Sequence, residues 1–396
     1  MVRAKLPRPQ PQKEYMREPN EDIDSPQRKI VQLRKDLSAR LVDRDAEIAL
    51  TLTALFSRSS LLLVGPPGTA KSYTLESVFK QVTGAKGFVW LMGKFTEPDE
   101  VYGAVDILAL KNGVRRRITA DKLPECHWAF LDEFWKASTA IANTLLRVVN
   151  ERVYNNGEGD RPVPLKVLVA ASNEYPQDGE LGAMFDRFLL RKEVTYVKGK
   201  ANRRRLLLYN ERSSILPPVS VTLSLAEIDA GIAEADALPV SEQTLERIER
   251  ILDKLNEEGI FPSDRRTTKI LSVVKAAAYV MGADSVKPEH LTVLSHMLWT
   301  EPGEQIQKVH KIVARTANPV GFQITELLQE ADSVLAGANP KDAWDKLKDI
   351  RQRLEDSVPE DPHKDEALRQ VDENINECAE AVRSGTMGGS KSCRGS

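Results

Sequence analysis

The chain has 396 residues, enough for two or three domains around a substantial core. Its 56 basic and 58 acidic side chains nearly cancel to a net charge of −2, which excludes a surface given over wholesale to a polyanion while leaving room for a local basic patch. Cys126, Cys378 and Cys393 are odd in number and far apart, no run reaches the length of a bilayer span, and no apolar leader opens the chain, so the expectation is a cytoplasmic protein without disulfides, zinc or a membrane span.

Residues 1–27 are polar and carry Pro7, Pro9, Pro11, Pro19 and Pro26, the composition of a disordered tail. From Arg28 the spacing of Ile30, Leu33, Leu37 and Leu41 predicts a helix, and Asp45 to Phe56 a second one. Short apolar runs then recur between helical stretches: Leu61–Val64, Phe88–Leu91, Trp128–Leu131, Val167–Ala171 and roughly Leu190–Val197. Continuous apolar runs of that length suit strands covered on both faces, hence an α/β fold with a parallel five-stranded sheet and helices on either side. Two hairpin inserts are expected on it. Asp106–Leu110 and Arg115–Thr119 flank the turn pair Asn112-Gly113, and Arg152–Asn155 and Pro162–Leu165 flank Asn156–Asp160.

Strand signals stop near residue 199. Residues 213–240, with Pro217, Pro218 and Pro239, read as a connector of little structure. Leu245, Ile248, Ile251, Leu252 and Leu255 form one helical face, and Ile270, Val273, Val274 and Ala277 another. Beyond Pro319 three amphipathic stretches predict a small helical bundle, and residues 384–396 are Gly/Ser-rich and frayed. The expected division is a tail (1–27), an αβα domain (28–198), a helical lid (199–316), a C-terminal helical domain (317–383) and a flexible end (384–396).

The chemistry concentrates in four places. Leu61–Val64 runs straight into Gly65-Pro66-Pro67-Gly68-Thr69-Ala70-Lys71-Ser72, a strand, a glycine-rich turn and a Lys-Ser pair opening a helix. That is the layout of a P-loop, in which backbone N–H groups and the helix dipole hold phosphates, the lysine reaches the terminal phosphates and the serine hydroxyl holds Mg²⁺. Ala70 stands where glycine is usual. Sixty residues on, an apolar strand ends in Asp132-Glu133, placing one carboxylate for Mg²⁺ and one to polarise a water for attack on the γ-phosphate. The next strand ends in Asn173, whose amide would address the water or the γ-phosphate; a turn-forming asparagine gives the same pattern. Arginines follow in Asp186-Arg187-Phe188 and Ser263-Asp264-Arg265-Arg266, and Arg115-Arg116-Arg117 sits on the first insert; ordinary solvated arginines look alike.

As a set these residues resemble the AAA+ ATPases, and more narrowly the MoxR family, whose P-loop also carries alanine before the lysine. The stretches Lys94–Gly103, Phe130–Ala137, Asn143–Leu146, Leu168–Glu174, Ser263–Arg266 and Leu298-Trp299 are similar to the RavA branch, over roughly residues 28–316. The resemblance implies a ring, usually a hexamer, with ATP and Mg²⁺ between neighbouring subunits. It makes Arg187 the arginine finger and Arg265 the sensor 2 residue, with Arg266 as its alternative, and it sets Val42-Asp43-Arg44 beside the adenine. It also implies chaperone-like remodelling of a protein complex with a von Willebrand factor A-domain partner. A nucleic-acid motor is the competing reading; no helix-turn-helix or basic, aromatic-interleaved module supports it, and nucleic acid is not an expected partner. RavA proteins carry a β-containing insertion in the C-terminal portion, whereas residues 317–396 read as helices here.

Overall fold

The computed structural model describes residues 25–157, 159–176, 182–209, 218–337, 339–359 and 362–383. The expected tail and frayed end therefore lie almost wholly outside the described residues. Helix α1 (Pro26–Arg40) begins two residues before the predicted start, because Ser25 accepts from the Arg28 N–H and Pro26 is preset for a first turn. Helix α2 (Asp45–Phe56) is apolar nearly all round and is buried between the sheet and the lid.

Strand β1 (Leu61–Val64) leads through the loop into α3 (Lys71–Phe79), and β2 (Val82–Thr83) precedes β3 (Gly87–Leu91). Then come α4 (Pro98–Tyr102), α5 (Ile107–Lys111), β4 (Trp128–Asp132), α6 (Thr139–Glu151), β5 (Val153–Asn155), β6 (Asp160–Pro162), β7 (Val167–Ser172), α7 (Gly182–Arg187), β8 (Leu190–Glu193) and α8 (Lys200–Leu207). The main sheet runs β3-β4-β7-β1-β8 with every pairing parallel. β1 and β7 are buried at every residue, as their unbroken apolar runs require. β8 pairs only as far as Glu193, short of the predicted Val197.

Three expectations are corrected. The first insert is not a strand hairpin. Asp106 Oδ1 accepts from the Leu108 and Ala109 N–H groups at 3.0 Å each and so opens α5. Asn112-Gly113, with Gly113 at φ 80°, then ends a helix instead of turning a hairpin, and a single bridge Val105–Arg117 remains. The second insert is a hairpin, but Val153 pairs with Pro162, so its outer strand ends where the predicted one begins. The supposed connector over 213–240 contains a helix, Leu225–Ala237, closed at its start by a reciprocal Ser224–Glu227 capping box and burying Ile228, Gly231, Ile232 and Ala235.

The lid continues with helices Glu242–Glu257 and Asp264–Val280, a 3₁₀ segment Pro288–His296 and helix Glu304–Ala317. It shares one hydrophobic core with the sheet domain, and Phe56 of α2 meets Tyr279 of the lid with ring centroids 5.6 Å apart. A two-stranded parallel ladder joins β2 to β9 (Leu223–Ser224). Helices Pro319–Gly337, Pro340–Ser357 and Pro362–Arg383 form the expected bundle around a separate core of Leu327, Leu347, Ile350, Leu354 and Val371. No helix among the described residues is long and apolar enough to cross a membrane.

Candidate functional site

The carboxyl ends of β1, β4 and β7 lie side by side, where ligands sit in open parallel sheets. The loop after β1 returns so tightly that a Cβ on Gly65 would stand 2.0 Å from the Val194 carbonyl oxygen. Gly68 has φ 78° and Ala70 φ 61°, so a non-glycine residue holds the left-handed position that caps α3. Thr69 Oγ1 donates to the Pro66 carbonyl at 2.9 Å and closes the turn.

Lys71 is buried and donates to the carbonyls of Gly65 at 2.6 Å and Pro66 at 3.0 Å and to Asn173 Oδ1 at 3.2 Å. Burial pulls its ammonium below the usual lysine range, and the Asp132 and Glu133 carboxylates counter that pull. Ser72 Oγ donates to Asp132 Oδ2 at 3.0 Å, while Asp132 Oδ1 accepts from the Glu133 N–H. Glu133 itself sits at φ 52°, a conformation that turns the chain sharply as it leaves β4. Its Oε1 accepts from Asn173 Nδ2 at 2.5 Å, and its Oε2 is buried without a hydrogen bond, 3.3 Å from Lys136 Nζ. Residues more than a hundred positions apart, Lys71, Ser72, Asp132, Glu133 and Asn173, are thereby one connected cluster.

Val42 is buried, and Asp43 reaches the segment after β8. Asp43 Oδ2 accepts from the Lys198 N–H at 3.0 Å. Arg44, expected with Val42 and Asp43 beside the adenine, is a structural tie. Buried, it donates to the Thr69 carbonyl at 3.0 Å and the Thr195 carbonyl at 3.0 Å, fastening the loop to the segment after β8. Bonds to backbone carbonyls leave no trace in residue type, so the resemblance set Arg44 in this segment without showing the tie.

Arg187 and Arg265 are elsewhere. Leu190 begins β8 opposite Leu61, with its N–H on the Ser60 carbonyl, so the chain near Arg187 enters the sheet at the end opposite the loop. The rings of Phe185 and Phe188, flanking Arg187, pack on Phe134 and Trp135, which directly follow Glu133. Arg265 NH1 lies 3.4 Å from Asp186 Oδ2; burial, and then the nearby Arg265 charge, pull the Arg187 guanidinium below the usual arginine range. Arg266 is fully buried. Its Nε pairs with Asp186 Oδ1 at 3.0 Å, and its terminal nitrogens donate to the carbonyls of Leu189, Met297, Asp186 and Phe188. It is a lid-to-core clamp, which leaves Arg265 as the arginine presented to solvent.

The parallel β3-β4-β7-β1-β8 sheet, its phosphate-type loop and the helical lid define an AAA+ ATPase. Residues 28–210 match the profile of the MoxR domain in the MoxR-vWA-beta-propeller ternary systems, and residues 242–313 match an AAA lid domain. An uncharacterized protein of Methanocaldococcus jannaschii is 31% identical over 331 residues, covering 83% of this chain and 85% of its own. Chaperone MoxR1 of Mycobacterium tuberculosis is 27% identical over 183 residues, 45% of this chain and 46% of its own. A crystal structure of a candidate ATPase from Cytophaga hutchinsonii superposes with TM-score 0.59 at 19% identity over 73% of this chain and 94% of that one, a likeness of fold. The chain belongs to the MoxR family of AAA+ ATPases.

Proposed function

We propose that this protein hydrolyses ATP as a subunit of a homo-oligomeric ring, most simply a hexamer, and uses the cycle to remodel or mature a protein complex. The carrying observation is the division of the site. Lys71, Ser72, Asp132, Glu133 and Asn173 form one connected cluster at the carboxyl ends of the strands, whereas Arg265 pairs with Asp186, beside Arg187, outside that cluster. A neighbouring subunit's arginines would then complete each site, supplying positive charge where negative charge develops on the transferring phosphoryl group.

Within one subunit, Gly65–Ser72 would cradle the phosphates, with Val42 and Asp43 beside the base. Ser72 and Asp132 would hold Mg²⁺, which when bound would supply positive charge to offset the negative charge of the phosphates. The donor set fits that ion: one hydroxyl and one carboxylate oxygen, 3.0 Å apart, with no further His, Cys, Asp or Glu cluster among the described residues. Such a sparse, hard-oxygen set suits an ion that keeps waters and takes its other ligands from phosphate. Glu133 would orient and deprotonate the attacking water, and Asn173 would position it.

The matched MoxR domain is described from systems with von Willebrand factor A-domain and β-propeller proteins, which supports a partner of that class. The narrower kinship to RavA rests on Lys94–Gly103 and Phe130–Ala137, and the division at residues 198 and 316 belongs to the same proposal. A protein substrate is favoured over nucleic acid by the first insert. Arg116 pairs with Asp106 at 2.9 Å and Arg117 with Asp99, while Ile107, Leu108 and Leu110 are exposed. A DNA-facing surface would instead leave the cations free and salt-sensitive.

The test is Glu133→Gln. Turnover should fall by about 10²–10⁴-fold with ATP binding nearly unchanged, so that the variant retains partner and substrate in a pull-down with ATP. Hydrolysis at the parental rate would remove Glu133 from its assigned role.

A further inference from the structure

Glu133 is held from two directions, and one of them lies outside the hydrogen-bonded P-loop cluster. Asn173 Nδ2 donates to its Oε1 at 2.5 Å, while its Oε2 is buried without a hydrogen-bond donor and faces the Lys136 ammonium at 3.3 Å.

The backbone puts Lys136 there. Glu133 leaves β4 at φ 52°, and the next three residues form a 3₁₀ turn, Phe134–Lys136, with the Lys136 N–H on the Glu133 carbonyl at 2.9 Å. Side chains three residues apart eclipse in such a turn, which lays Lys136 over Glu133. Phe134 and Trp135 are both buried, and their rings meet Phe188 with centroids 5.2 Å and 6.0 Å away, so close packing keeps the turn from swinging. Among the described residues Glu133 is the sole carboxylate at ion-pair distance from Lys136.

An ion pair of this spacing on an open surface contributes little, because water screens it and two long side chains lose freedom. Glu133 is not on an open surface: its side chain is 19% exposed, against 53% for Lys136. A carboxylate oxygen shut away from water without a donor is costly, and the adjacent ammonium is the charge that offsets that cost. The two contacts also divide the carboxylate's work. Oε2 is covered. Oε1 lies on the side of Asn173 and, through it, of Lys71; it accepts one hydrogen bond and as a carboxylate oxygen can accept another. Oε1 is therefore the atom that can meet a water.

We propose that Lys136 is a positioning residue for Glu133: its ammonium pins Oε2, so that Oε1 stays on the Asn173 side and the carboxylate does not rotate away between turnovers. This rests on the reading of Glu133 as the group that activates water. Lys136 acts on orientation and not on nucleotide affinity, since it has no hydrogen bond to Gly65–Ser72 among the described residues.

The experiment measures ATP hydrolysis and ATP binding for the full chain and for Lys136→Met, Lys136→Arg, Glu133→Gln and the Lys136→Met/Glu133→Gln double variant. Lys136 is exposed, so these substitutions leave the buried ring packing in place. In Lys136→Met, kcat should fall by roughly tenfold, with KM and ATP binding held within about twofold. Lys136→Arg keeps a cation in reach and should recover most of that loss. In single-turnover measurements, Lys136→Met added to Glu133→Gln should change nothing further, because the carboxylate it positions is gone. A parental or raised kcat in Lys136→Met, a raised KM in place of a lowered kcat, a loss that Lys136→Arg does not recover, or the same fold-loss in both backgrounds would each overturn the proposal. Glu133→Gln at the parental rate, or a full chain without turnover, removes the reading of Glu133 and this proposal with it. An inactive Glu133→Gln beside a parental Lys136→Met removes this proposal alone.

Discussion

Ala70 adopts φ 61° and ψ 25° and is exposed, so its methyl group carries the strain of a left-handed residue without any packing in return. Glycine holds that conformation freely, which is the physical reason it is usual there. Ala70→Gly should therefore stabilise the chain by about 0.5–1 kcal/mol, read as a higher urea midpoint at unchanged slope. A lower midpoint would show that the loop is held by something other than its backbone conformation. Arg265 and Arg266 make the opposite point. They are chemically identical neighbours, yet one is half-exposed beside Asp186 and the other is wholly buried on four carbonyls, a difference that burial alone produces.

Among the elements, the Leu225–Ala237 helix shows how a short local motif outweighs its proline-rich surroundings. Ser224 and Glu227 satisfy each other's backbone N–H groups, and Lys29 of α1 pairs with Glu227 at 2.5 Å, so the cap also ties α1 to the lid. The hydrogen bond from Lys29, with those from Ser224, lowers the Glu227 carboxyl from 4.5 to about 2. A depressed folded value means the stabilisation is complete above the unfolded value and is lost as pH falls from 4.5 through about 2. Glu227→Gln should flatten the pH dependence of stability across that window in denaturant titrations; an unchanged slope would exclude this carboxylate as a contributor. In the first insert the same logic misled. Asn112-Gly113 fits a hairpin turn and a helix end equally well, and the Asp106 cap decided for the helix.

At the scale of the molecule, the arginines outside the P-loop cluster make a prediction about assembly. Arg187→Ala and Lys71→Ala should each abolish turnover, and mixing the two proteins should restore part of it, because one supplies an intact loop and the other an intact arginine. Absence of rescue in demonstrably mixed rings would place Arg187 outside any neighbour's site.

The sequence by itself determined the five central strands, the P-loop, the acidic pair after β4 and Asn173, because buried parallel strands are continuous apolar runs and phosphate chemistry demands fixed residue types at fixed spacing. It also carried the lid's amphipathic faces and the three C-terminal helices, whose 3.6-residue periodicity is local. Only the tertiary structure decided which arginine is a clamp, that Arg44 fastens the loop to the segment after β8, and that the first insert is helical. Those outcomes depend on burial and on contacts between residues far apart in the chain, and neither leaves a period or a motif in the order of amino acids.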